Sequence, residues 1–137
     1  MTLAQIRRQI EVKVNDAFDA VGVPVVFDNV QEEPPAQTYV NVMISYSSFV
    51  EPTVAQIDSY VELIRGTVML VIRCPRGGGM GTLETLSVVG MQALMSMKGL
   101  DQNPSIGMGE ILGPTYLTAG DDPLIASNVS AGFRVVL

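Results

Sequence analysis

Residues 63–75 read Leu63-Ile64-Arg65-Gly66-Thr67-Val68-Met69-Leu70-Val71-Ile72-Arg73-Cys74-Pro75. In an extended chain Ile64, Gly66, Val68, Leu70 and Ile72 fall on one side, and Leu63, Arg65, Thr67, Met69, Val71 and Arg73 on the other. A period of two held this long, rich in branched residues, predicts a strand running from Tyr60 to Cys74, with Pro75 ending it. One strand cannot bury its own apolar side, so its neighbours in the chain decide the fold.

Upstream, Thr38 to Phe49 alternates in the same way. Val40, Val42, Ile44 and Tyr46 face one way, and Asn41, Met43, Ser45 and Ser47 the other. Pro24-Val25-Val26-Phe27 predicts a short edge strand, because proline cannot donate to a central ladder. Before it, Leu3, Ile6, Ile10, Val14, Ala17, Phe18 and Val21 recur at steps of three and four, the stripe of an amphipathic helix. Thr2 and Gln5 have the capping-box spacing, and Gly22 with Pro24 is a stop signal. Arg7, Arg8, Glu11, Asp16 and Asp19 make its solvated face. Downstream, the turn Arg76-Gly77-Gly78-Gly79-Met80-Gly81 leads into a second helix, capped by Thr82 and closed by Gly99. Its main stripe is Leu83, Leu86, Val89, Gly90, Ala93, Leu94 and Met97. Val88, Met91 and Met95 form a second apolar side, so this helix is expected to be buried on more than one side.

The last third predicts a glycine-interrupted strand over Ile106–Leu112, a Gly113-Pro114 turn, Tyr116-Leu117, and a turn at Asp121-Asp122-Pro123. Asn128 to Leu137 then alternates through Val129, Ala131, Phe133, Val135 and Leu137. The order α-β-β-β-α-β-β describes one α+β domain over residues 1–137, with both helices covering one face of a mostly antiparallel sheet.

Composition narrows the function. The 137 residues include no histidine and one cysteine, which removes histidine triads, histidine general bases and nearly every catalytic zinc arrangement. Lone Cys74 forms no internal disulfide, and a reducing compartment suits it. A net charge of -6 with 8 basic residues is a poor match for gripping nucleic acid. Charged residues make up 16%, well under the roughly 25% of ordinary domains, and mean hydropathy is +0.33. Surface charge is what is missing, which points to surface covered by copies or partners. The apolar runs are far shorter than the ~20 residues of a membrane span, and the N-terminus lacks the apolar core of a signal peptide. Neither a membrane nor export is expected.

Chemistry-bearing motifs are weak. The glycine-rich turn sits where a phosphate cradle would, but a P-loop needs lysine where Gly81 stands, and a dinucleotide fingerprint needs glycine where Thr82 stands. A permissive turn is the better reading, with Arg76 a solvated or inter-subunit charge and anion binding the lesser reading. Glu32-Glu33 and Asp121-Asp122 are adjacent in loops, without the spacing that converges oxygen ligands on a metal. An enzymatic reading would have to run through carboxylates such as Glu62 or Glu110. Catalytic, metal and cofactor sites are therefore not expected. The connection from Phe49 to Ser59 is long for a hairpin, and such loops are often functional. Met80, Met91, Met95, Met97 and Met108 lie in or near the second helix. They read first as gap-filling core and second as an adaptable contact surface.

The element order, with Val25-Val26-Phe27-Asp28-Asn29, an acidic proline-bearing loop and Tyr39-Val40-Asn41-Val42, resembles the tail terminator proteins of long-tailed bacteriophages. Arg65 to Ile72, followed by Pro75 and a glycine-rich helix entry, looks like that family's third strand and second helix. The resemblance spans nearly the whole chain. It implies a non-catalytic virion protein of the tail–neck region, assembled in the host cytoplasm as a homohexameric ring. The ring would cap the tail tube, stop its polymerisation and dock the head-tail connector, while DNA passes its acidic channel unbound. Head–tail joining proteins and tube subunits share the same vocabulary. Carried onto this chain, Phe49, Val50, Val54 and Ile57 become the axial contact with the tube protein. Arg65 and Arg73 become candidates for inter-subunit ion pairs, as does Arg76. The free strand edges Asn128–Leu137 and Val23–Phe27 become candidates for pairing between neighbours.

Overall fold

A computed structural model describes residues 3–27, 37–50, 63–78, 80–97, 106–117 and 124–136. The first helix, α1 (Leu3–Asp19), forms on the four-residue repeat Ile6, Ile10, Val14 and Phe18, and all four side chains are fully buried. Leu3 and Val21, expected on the same stripe, are exposed. Leu3 sits in the first turn and Val21 lies past the last one. The helix ends in a Schellman motif: Gly22 adopts φ +73°, its N–H donates to the Asp19 carbonyl at 3.0 Å, and the Val23 N–H donates to the Phe18 carbonyl at 3.0 Å. Glycine occupies that left-handed position without the steric cost of a Cβ.

The strands are β1 (Val25–Phe27), β2 (Tyr39–Val50), β3 (Leu63–Pro75), β4 (Ile106–Leu117) and β5 (Leu124–Val136), with α2 (Met80–Ser96) between β3 and β4. They form one sheet in the order β1-β2-β3-β5-β4. Only β1–β2 is parallel; the other three pairings are antiparallel. The fold is α+β, in the element order the sequence predicts. Both helices lie on one face, α1 against β1, β2 and α2, and α2 against β3, β5 and β4. Val40, Val42, Ile44, Val68, Leu70, Ile72, Val129, Ala131, Phe133 and Val135 meet the helices' apolar stripes there.

One close approach shapes this core. A Cβ on Gly66 would lie 2.5 Å from the Phe133 ring and 2.5 Å from the Ser45 carbonyl oxygen. With no side chain at Gly66, the Phe133 ring lies over β3 and meets Tyr46 edge-to-face, centroids 6.2 Å apart and planes at 82°.

Several expectations are corrected. Phe49 and Val50 continue β2, paired with Ile64 and Leu63, so they do not open the connecting loop. A register shift between Tyr46 and Ser48 breaks the predicted alternation just before them. α2 starts at Met80, so Thr82 lies inside the helix and caps nothing; a 3-10 turn, Arg76–Gly78, precedes it. Gly113-Pro114 is no chain reversal, because β4 runs through it as one strand with register shifts on either side of Ile111–Leu112. β5 begins at Leu124, four residues earlier than expected, and is hydrogen-bonded on both sides. It therefore offers no free edge, and the sheet's edges are β1 and β4. Met97 is buried and Met91 packs half-buried against the core, but Val88 and Met95 are 50% and 55% exposed, so the second side of α2 is only partly covered.

Candidate functional site

Both helices cover one face of the sheet, and among the described residues no helix covers the other. Cross-strand register orders that second face into transverse rows. Tyr39, Arg73, Ala126 and Leu117 form the first row, and Asn41, Val71, Asn128 and Thr115 the second. Met43, Met69, Ser130 and Leu112 form the third. Ser45, Thr67 and Gly132 follow, and then the directly opposed pair Arg65 and Arg134.

The two ends of this face differ. At the first end Tyr39, Val71 and Ala126 are buried and only Thr115 and Leu117 on β4 are exposed, while at the other Ser45, Arg65, Gly132 and Arg134 are exposed. Between them Met43 is exposed and Leu112 is 55% exposed. Toward the first end, Asn41 Oδ1, Asn128 Oδ1 and Arg73 Nε are buried and make no hydrogen bond. A buried polar group left without a partner costs roughly 1–3 kcal/mol, so this end of the face carries unspent hydrogen-bonding capacity.

The predicted inter-subunit arginines separate in space. Arg65 and Arg73 share the helix-free face, as expected, but stand eight residues apart on β3, roughly 27 Å along the strand. Arg76 is exposed in the 3-10 turn at the foot of α2. Of the predicted axial contact, Phe49 and Val50 lie at the end of β2, while Val54 and Ile57 fall outside the described residues. Arg134 has the same residue type and alternation as Arg65; only the β3–β5 register brings the two together.

The helical side holds two further polar contacts. Ser87 Oγ donates to the Leu83 carbonyl at 2.7 Å and lies 2.7 Å from Ser127 Oγ, both side chains fully buried. With the Ser87 proton so used, Ser127 donates to Ser87, and the pair pins α2 to β5. The alternation of β5 would place Ser127 on the core side, but the predicted strand began one residue after it. Arg7, read as part of a solvated face, donates to the Ile44 carbonyl at 3.2 Å and pairs with Glu11 at 3.5 Å, tying α1 to β2.

Titration adds little chemistry. Burial pushes the Cys74 thiol above its ordinary value of 9.0, with a Thr38 side-chain hydrogen bond acting in the opposite direction. The thiol is fully protonated at neutral pH and is a poor nucleophile. Desolvation, and then the Glu84 carboxylate beside it, raise the Tyr116 phenol. Among the described residues no group of three or more Cys, Asp or Glu side chains is placed to hold a metal ion. Among them, too, no helix is long and apolar enough to cross a membrane.

No protein-family model and no curated protein matches the chain. Fifteen chains of solved structures match it. One is similar over 98% of this chain and 96% of its own length, with a TM-score of 0.68 at 20% identity. At that identity the likeness establishes the fold over essentially the whole chain and nothing of its activity.

Proposed function

We propose that this protein is a ring-forming subunit of a phage tail, a tail terminator that caps the tail tube and offers its other side to the head-tail connector. The observation that supports it best is the amount of large apolar surface one protomer leaves open. Val88 and Met95 on α2, Met43 and Leu112 on the helix-free face, and Leu117 on β4 are all exposed. A chain with 16% charged residues and exposed side chains of this size on both layers fits a subunit covered by neighbours on more than one side. The resemblance in element order supplies the kind of assembly. The net charge of -6 suits a channel that DNA crosses without sticking.

The test is tube assembly. Polymerising tail-tube protein with this protein present should give tubes that stop growing and carry a discrete ring at one end by electron microscopy. Tubes of unaltered length with bare ends would refute the terminator reading. Long tubes built from this protein alone would make it a tube subunit, and binding to the connector without any to tube ends a joining protein. In the same assay Val54→Asp or Ile57→Asp should leave the circular dichroism spectrum intact and abolish capping. Normal capping by both variants would remove that loop from the axial contact.

A further inference from the structure

Two charge arrangements in this protomer are unfavourable where they stand. On the helix-free face Arg65 and Arg134 are directly opposite each other on β3 and β5, both exposed, and neither forms an ion pair among the described residues. Like charges directly opposed across a sheet repel. The other arrangement is on α1, which carries no acid in its first turn and no base in its last. Arg7 and Arg8 sit toward its N-terminal end, and Asp16 and Asp19 are exposed in its last turn. That polarity opposes the helix macrodipole, which favours acids at the N-terminus and bases at the C-terminus.

Each arrangement is what the other lacks. Cross-strand partners have Cβ atoms about 4.5–5.5 Å apart, and residues three apart on a helix about 5–6 Å, so two carboxylates fit two guanidinium groups pair for pair. One chain cannot bring them together, since α1 lies on the opposite face of the sheet. A second copy can. We infer that Asp16 and Asp19 of one copy dock on the Arg65–Arg134 pair of the next, joining copies through unlike surfaces. The surroundings agree. Exposed Val12 stands one turn before Asp16 on the same outward stripe, and Met43 and Leu112 are exposed on the sheet face that carries the arginines. Such a heterologous contact closes into a ring where the rotation per subunit allows. Closure rests on the reading proposed above; the pairwise contact does not.

Native mass spectrometry on the full chain tests it, with circular dichroism confirming that each variant is folded. Wild-type protein should associate, and both Arg65→Glu/Arg134→Glu and Asp16→Arg/Asp19→Arg should weaken association by about 10-fold or more. Mixing the two variants should restore it in alternating assemblies, and so should combining all four changes in one chain. Should a reversal variant fail to fold, Arg134→Gln and Asp16→Asn should each weaken association several-fold. Wild-type rings indifferent to every one of these changes, or folded reversals that neither mixing nor recombination rescues, would overturn the contact and leave the ring standing. Wild-type protein still monomeric at millimolar concentration would overturn the contact as well. The capping assay decides the terminator reading separately.

Discussion

At the scale of single residues, burial has measurable consequences at Gly66 and at Cys74. Gly66→Ala would drive a methyl into the Phe133 ring and the Ser45 carbonyl oxygen, each 2.5 Å from the new Cβ. One of those two neighbours is backbone and cannot swing away. Overpacking of this kind costs about 1–3 kcal/mol or more, so thermal denaturation should show a drop in Tm of several degrees. At Cys74 the sign follows from burial. The folded thiol titrates above 9.0, its unfolded value, so its contribution to stability is intact below about pH 9 and is lost as pH rises through and beyond that value. Urea denaturation at pH 8 and pH 10 should show a smaller loss of stability in Cys74→Val than in the wild type. An equal loss in both would mean that the thiol does not contribute.

At the scale of elements, the Ser87–Ser127 contact adds a buried polar link to the apolar packing of α2 on β5. Ser87→Ala strands the Ser127 hydroxyl in the core and should cost about 1–3 kcal/mol. Ser87→Ala/Ser127→Ala removes both hydroxyls and should recover part of that loss, as a double-mutant cycle in urea would report. Strictly additive losses would mean the hydroxyls are not coupled. How legible each element was depended on where its signal lay. α1 and β3 could be read from the chain because their patterns are long and each buries one side. β4 is legible only in part: Ile106–Leu112 reads as a glycine-interrupted strand, but Gly113 and Pro114 read as a turn, and it is pairing with β5 that carries the strand on through them to Leu117. The second side of α2 is only partly legible, for a related reason: Met91 packs against the core while Val88 and Met95 stay exposed. Val88, Met91 and Met95 are as apolar as a core stripe, and hydrophobicity cannot say whether the cover is the same chain or another.

At the scale of the whole molecule, exposed apolar surface and segregated charge are the features a partner would read. Val88→Lys/Met95→Lys changes two side chains that are 50% and 55% exposed in the protomer. Each should shift protomer stability by no more than about 0.5 kcal/mol. If α2 is covered in the assembly, the same variant should lower the associated fraction seen by analytical ultracentrifugation. An unchanged associated fraction would place α2 on the outside of the assembly.

The sequence alone determined that the chain makes two helices and a sheet in the order α-β-β-β-α-β-β. Periods of two and 3.6 are local properties, set by which side of a strand or helix each apolar residue occupies. It also determined that histidine chemistry is absent, since composition needs no fold to be read. Tertiary structure alone decided that β5 is internal and β4 an edge, that Arg134 stands opposite Arg65, that Ser87 meets Ser127, and that Phe133 lies over Gly66. Each of these joins residues dozens of positions apart through strand register or helix docking. Register is fixed by how all the apolar faces fit together at once, and no single stretch of the chain contains that information.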